Sequence, residues 1–406
     1  MNDSNSRPGL EASDAFFPAL AAVLLAAFVM RGPVTGVGPI AAEVVSAYGT
    51  AWSVYGFLAA LPIAAFGLAS FPAPKLYAQL GLTGAAAAAL LLLLCGAALR
   101  LIPSLAALGI GTFLLGSGIA LLNVLMPVVV KTRWPKSVGA AMGLYTGMIG
   151  LSGAVGGLSA APLFGLSNSV AAPFGFWTAA AAAALLVWAA LMRPMVSRDA
   201  QISGAGGKRG SGTLSAIVRR PLAWILIAVM GLQSTLIYTA AAWLPSYWRS
   251  GGMAFDETGV WIFVFLCSGL PASVLTAKFF KMCPNDRTAG AVLTLLYLLG
   301  LFGWLEGGAW LLSASIAAGA AQGAMLSAAF LLIAKKTRTT GGMVAISTLS
   351  QGVGYLAAGT GPSIFGMLAG ASSGEAGWTA AFVFFGAVIL LWGGAVWAAD
   401  KDRTVD

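Results

Sequence analysis

Apolar residues in this chain come in long unbroken runs rather than in the periodic stripes of a water-soluble core. Twelve runs can be drawn, at 16–45, 52–72, 82–100, 103–130, 138–160, 171–192, 221–247, 258–280, 288–305, 309–334, 342–369 and 377–399. Most reach the ~20 residues that a helix needs to cross about 30 Å of hydrocarbon. Short polar turns, many of them basic, separate them. With no water to satisfy the backbone inside a bilayer, such runs must be helical. The pattern predicts an all-α polytopic membrane protein with twelve transmembrane helices.

Composition removes the soluble alternatives. The chain is 59% hydrophobic and only 9% charged, with a mean hydropathy of +0.89 over 406 residues, so lipid is its solvent. It has no histidine, and so lacks the commonest general base and the commonest metal ligand. No enzyme, metal or cofactor is expected. Cys95, Cys267 and Cys283 are too scattered for a disulfide framework and read as small hydrophobes. The first fourteen residues lack the basic start of a cleavable signal, so the first segment is expected to be retained.

A net charge of +9 would suit a nucleic-acid binder, but the positions of the charges exclude that reading. Of 22 Lys and Arg, 19 fall in loops or tails on one side, Arg100 and Arg249 on the other, and Arg31 inside a segment. Under the positive-inside rule this split puts both termini in the cytoplasm. The longest loop contains Ile202-Ser203-Gly204-Ala205-Gly206-Gly207-Lys208-Arg209-Gly210-Ser211-Gly212 and reads as a flexible linker. The expected organisation is a tail 1–15, a six-helix bundle 16–192, a linker 193–220, a second bundle 221–399 and a tail 400–406. No loop is long enough for an appended ATPase, which leaves gradients or partner chains as the energy source.

The two halves echo each other. Gly118-Ile119-Ala120-Leu121-Leu122 precedes Lys131-Thr132-Arg133 as Gly323-Ala324-Met325-Leu326-Ser327 precedes Lys336-Thr337-Arg338, at an offset of 205 residues. Leu61-Pro62 and Leu270-Pro271 recur at 209, and Pro162 and Pro362 stand 200 apart in similar strings. A parallel repeat of six plus six is the layout of the major facilitator superfamily, whose substrate sites lie near the midplane between the halves.

Arg31 is the most informative residue. It lies roughly 22 Å along a helix counted from Phe16, near the middle of the bilayer. A guanidinium there costs at least ~2.5–3.5 kcal/mol on insertion scales, and no Asp or Glu lies deep in any segment to offset it. It must face a cavity or a ligand, which points to an anionic or strongly polar substrate. Polar residues that could share that cavity are Thr35, Asn123, Tyr145, Gln233, Ser234, Tyr238, Gln322, Gln351 and Tyr355. Ser347, Gln351 and Tyr355, at i, i+4 and i+8, form one stripe. The plainer reading of any one of them is a helix–helix hydrogen bond rather than a ligand contact. Glu43, near the outer surface, is the one candidate for a coupling or gate residue. Glycine is dense in the fifth and eleventh segments, which suits close packing and helices that slide during transport.

Met30-Arg31-Gly32-Pro33-Val34-Thr35-Gly36-Val37-Gly38-Pro39 resembles the first-helix signature of the cyanate transporter / 2-nitroimidazole transporter family of that superfamily. Gly118-Ile119-Ala120-Leu121-Leu122-Asn123-Val124-Leu125-Met126-Pro127, Gly143-Leu144-Tyr145-Thr146 and Gly231-Leu232-Gln233-Ser234 are similar to it as well. The resemblance implies that Arg31, Asn123, Tyr145 and Gln233 line the central cavity. One departure is the loop between the second and third segments, where Pro74-Lys75-Leu76-Tyr77-Ala78-Gln79-Leu80-Gly81 carries no acid for the superfamily's charge-locked inner gate. The expectation is a monomeric secondary or facilitative transporter of a small anion or small polar organic molecule, resembling cyanate. The alternative is an efflux carrier for neutral nitroheterocycles or drugs, and the remote one a membrane enzyme or sensor.

Overall fold

The computed structural model describes residues 16–50, 52–206, 214–371, 375–399 and 404–405. The tail 1–15, the middle of the linker and most of the tail 400–406 lie outside them. Among the described residues every regular element is helical.

The first segment is broken into α1 (Phe16–Phe28), α2 (Gly32–Thr35), a 3-10 turn Gly38–Ile40 and α3 (Ala41–Ala47). α4 (Trp52–Leu68), α5 (Ala73–Leu99), α6 (Leu105–Arg133), α7 (Val138–Ser167) and α8 (Ala171–Gly206) complete the first half. After a short α9 (Leu214–Val218), the second half comprises α10 (Pro221–Ser250), α11 (Phe255–Met282), α12 (Asp286–Glu306) and α13 (Leu311–Lys335). It ends with α14 (Thr340–Ala358), α15 (Thr360–Ala371) and α16 (Glu375–Ala399).

Ten helices among the described residues are long and apolar enough to cross a membrane. The other two expected segments are shorter or divided. α4 has 17 residues, and the eleventh segment is split at Gly359 into α14 and α15. Pro362 has no N–H to give the carbonyl four residues back, which accounts for that break. Pro33 and its glycine neighbours do the same to the first segment, which the apolar pattern alone had drawn as one helix. α8 runs to Gly206, past residue 192 where apolarity ends, because helix formation outlasts hydrophobicity until the glycines begin. Within α5 the backbone breaks at Gly81 (φ 67°, ψ 179°), a conformation open only to glycine, so the third crossing effectively starts at Leu82.

Neighbour relations repeat between the halves. α5 packs on α6 and α8, α4 on α6, and α1 on α7 and α8. In the second half α12 packs on α13 and α16, α11 on α13, and α10 on α14 and α16. Each pair is the other shifted by six segments. Across the halves, α7 meets α11 and α13, and α14 meets α4 and α6, which again map onto each other. Small residues permit these approaches. A Cβ on Gly319 of α13 would stand 2.0 Å from the Phe265 carbonyl oxygen, and one on Gly143 of α7 2.6 Å from that of Ser273.

Candidate functional site between the two halves

The break in the first segment frees backbone groups that a continuous helix would have paired. Ser152 of α7 takes them up. Its hydroxyl accepts the Gly32 N–H at 2.8 Å and the Arg31 N–H at 3.4 Å, and donates to the Phe28 carbonyl. Thr35 donates to the Gly153 carbonyl at 2.9 Å. α7 can come this close because it presents glycine. A Cβ at Gly156 would lie 2.5 Å from Thr35 Oγ1 and 2.6 Å from the Gly32 carbonyl oxygen. On the other side Trp177 of α8 closes over Gly32. Further along, Arg100 at the end of α5 donates to the Pro33 carbonyl at 2.9 Å and stacks 4.2 Å over Phe174.

This scaffold fixes where Arg31 points. Its guanidinium crosses to the second half, where Nη1 donates to the Tyr238 hydroxyl of α10, and its Cζ stands 5.3 Å from that ring's centroid. Tyr355 of α14 interacts with both, its ring 6.1 Å from Tyr238 and 5.3 Å from Phe66 of α4. The side-chain partners of Arg31 are therefore phenols, which accept hydrogen bonds without supplying a counter-charge.

The structure sorts the other candidate residues into separate groups. Gln322 donates to the Gln233 carbonyl and Oε1, both at 3.1 Å, and accepts from the Tyr297 hydroxyl at 3.1 Å. Gln233 in turn donates to Ser234 at 2.7 Å. These groups satisfy one another across α10, α12 and α13. Tyr145 is buried, its hydroxyl 3.9 Å from the Met30 sulfur and its ring edge-on to Phe330. Asn123 is buried on α6. Glu43 lies in the first turn of α3, and Thr35 is engaged with α7. Gln351 is fully buried, yet neither end of its amide has a partner, and the Ser347 and Ser350 hydroxyls are likewise unpaired.

Sequence reasoning missed Ser152, Tyr297 and the reach of Lys131. Ser152 sits in a helix read only for its glycines, although it is the one hydroxyl in the Gly150-Leu151-Ser152-Gly153 turn. Lys131, at the end of α6, donates to the Ala334 carbonyl at 2.8 Å and to the carbonyl and hydroxyl of Thr337. An ammonium thus caps the C-terminal end of α13, where the helix dipole is negative. It joins the two halves at the basic end, although the neighbouring loop has no acid. Among the described residues no cluster of potential metal ligands occurs.

Residues 23–359 match the family model described as Major Facilitator Superfamily. The chain is 32% identical over 386 residues to an uncharacterized transporter, YycB, of Bacillus subtilis, covering 94% of this chain and 93% of the relative. It is 29% identical to the 2-nitroimidazole transporter of Escherichia coli, covering 86% and 87%. To the Escherichia coli cyanate transport protein CynX it is 26% identical, covering 86% and 89%. Among solved structures, the proton:xylose symporter XylE superposes with a TM-score of 0.72 over 95% of this chain and 96% of that one. At 13% identity that likeness concerns the fold.

Proposed function

The chain belongs to the major facilitator superfamily, and on that premise we propose that it carries a small anion or small polar organic molecule across the bacterial inner membrane. It works by alternating access, as a monomer with both termini in the cytoplasm, and Arg31 holds the substrate near the midplane. One observation carries the reading. Arg31 is a permanent cation deep in the first segment, and its side-chain partners are the uncharged Tyr238 and Tyr355. The cavity keeps a positive charge that a bound anion neutralises. The relative named as a cyanate transport protein favours this version.

A second reading, export of a neutral nitroheterocycle, draws on the relative named as a 2-nitroimidazole transporter and on the paired Tyr238 and Tyr355 rings, 6.1 Å apart. Nitro oxygens would then take the place of the anion at Arg31. Counterflow into reconstituted vesicles with cyanate and 2-nitroimidazole as competing substrates tests both readings. Exchange of cyanate supports the anion carrier, exchange of the nitroimidazole alone supports the second reading, and exchange of neither contradicts the assignment.

The Lys131 contact accounts for how the inner side closes without an acidic gate. Hydrogen bonds from a charged donor contribute about 1.5–3 kcal/mol each, so losing this one should shift the closed-to-open ratio at least about tenfold. In a background without native cysteines, Lys131→Met should speed labelling of a cysteine at 345 from the cytoplasmic side. Unchanged labelling would remove Lys131 from the gate.

Energetics follow from the charge. For a monoanion alone, an inside-negative potential opposes uptake by about 2.3 kcal/mol per 100 mV, close to a fifty-fold gradient. The protein therefore runs as an exporter or facilitator, or takes the proton in on the substrate beside Arg31. Vesicles in which potential and pH gradient are set independently should show flux that follows the potential for the bare anion, or the pH gradient where the proton rides on the substrate, and in either case equally in wild type and in Glu43→Gln. Uptake driven by a pH gradient and abolished by Glu43→Gln would make Glu43 the coupling site instead.

A further inference from the structure

Gln351 is 0% exposed, and its Nε2 and Oε1 both lack a hydrogen-bond partner. Buried amides are rarely left this way, because a group that gives up water without gaining a partner is destabilising. Its place in the bundle suggests what completes it. On α14, at about 100° per residue, Gln351 lies between two packed faces. Gly352 and Leu356, on one side, pack against Phe71 and Gly67 at the α4 end of the first half. Gly354, on the other, packs against Gly231 of α10. The wedge between those faces is the one Tyr355 occupies, four residues or about 6 Å further along, where Arg31 arrives. Gln351 thus lies one helical turn from the Arg31–Tyr238–Tyr355 cluster, on the same side of α14. The comparable amides, Gln233 and Gln322, bond each other, so an unpaired one is no general habit of this fold.

We propose that Gln351 is a specificity-determining arm of the substrate site, selecting planar ligands that present a hydrogen-bond donor beside an acceptor. This rests on the second reading above, the nitroheterocycle, and narrows it. An amide offers one donor edge and one acceptor edge, and only a ligand with both satisfies it. Cyanate, which has acceptors alone, satisfies half of it. A nitrogen heterocycle with a ring N–H next to an acceptor, its electron-rich oxygens turned to Arg31, satisfies both.

The test uses purified full-length protein and three probes: 2-nitroimidazole, 1-methyl-2-nitroimidazole, which lacks the ring N–H, and cyanate. Wild type should bind the parent at least about tenfold more tightly than its methyl derivative, since a site built around a donor rejects the analogue without it. Gln351→Leu should reduce that ratio to about twofold or less, and the ligand-free melting temperature should stay level or rise as the unpaired amide is removed. The proposal is overturned if the ratio survives in Gln351→Leu, or if wild type does not distinguish the two imidazoles. It is also overturned if the ligand-free variant melts several degrees lower, which would make the amide structural. Arg31→Ala, measured alongside, separates the two claims. Unchanged binding in that variant defeats the anchor role of Arg31 and leaves the Gln351 ratio to stand or fall by itself. If wild type binds none of the three probes, the substrate class proposed above fails, and the melting temperature of Gln351→Leu still decides the role of the amide.

Discussion

Arg31→Ala should abolish transport while leaving the protein folded in the membrane. The guanidinium is the only charged group in the Arg31–Tyr238–Tyr355 cluster, and its partners Tyr238 and Tyr355 cannot replace it. Truncating one member of a desolvated charged contact costs about 2–5 kcal/mol, which is roughly thirty-fold to several-thousand-fold in substrate affinity. Stability should move the other way, because removing an uncompensated cation from the bilayer interior relieves a desolvation penalty. Arg31→Lys should also fail. Its ammonium keeps the charge but loses the planar fork that spans a two-oxygen or linear ligand. Loss of insertion in Arg31→Ala, with loss of melting cooperativity, would make the arginine a structural clamp instead.

Gly156→Val should be nearly as damaging, for a different reason. A Cβ at that position would meet Thr35 Oγ1 at 2.5 Å and the Gly32 carbonyl oxygen and Cα at 2.6 and 2.7 Å. Two of those atoms are backbone, so the contact cannot be relieved by a rotamer change. Overpacking of this kind typically costs about 1–3 kcal/mol. Here it also pushes the Gly32–Thr35 turn off α7, breaks the bonds from Ser152 and displaces Arg31 from Tyr238. The melting temperature in detergent should fall by several degrees, and uptake by considerably more than the residual folded fraction explains. Wild-type uptake in Gly156→Val would contradict the close contact between the first and fifth segments.

Much of the architecture was legible because the bilayer imposes it. A helix needs about twenty apolar residues to cross, so hydropathy marks the segments whatever they pack against. The offsets of 205 and 209 residues between the halves anticipate the six-segment shift that relates α6 with α4 to α13 with α11. Segment interiors were harder. The apolar pattern passed over the break at Gly32 and Pro33, and what stabilises it, Ser152, lies 120 residues away. Gln233 and Gln322 are 89 residues apart, and their mutual bond shows only in three dimensions. Lys131 looked like any other basic loop residue, because its partners are backbone carbonyls, which every sequence has. Arg31 was conspicuous by charge, since a lone cation in an apolar run has few explanations. Its phenolic partners were two of many hydroxyls that could have met it.

Equilibrium binding to purified wild type and Arg31→Ala, each titrated with cyanate and with 2-nitroimidazole, tests the central claim most directly. If Arg31 anchors the substrate, at least one ligand binds wild type saturably, and its affinity falls by about thirty-fold or more in Arg31→Ala while the ligand-free variant melts no lower. Equal affinity in the two proteins would contradict the account and move the substrate away from the Arg31–Tyr238–Tyr355 cluster.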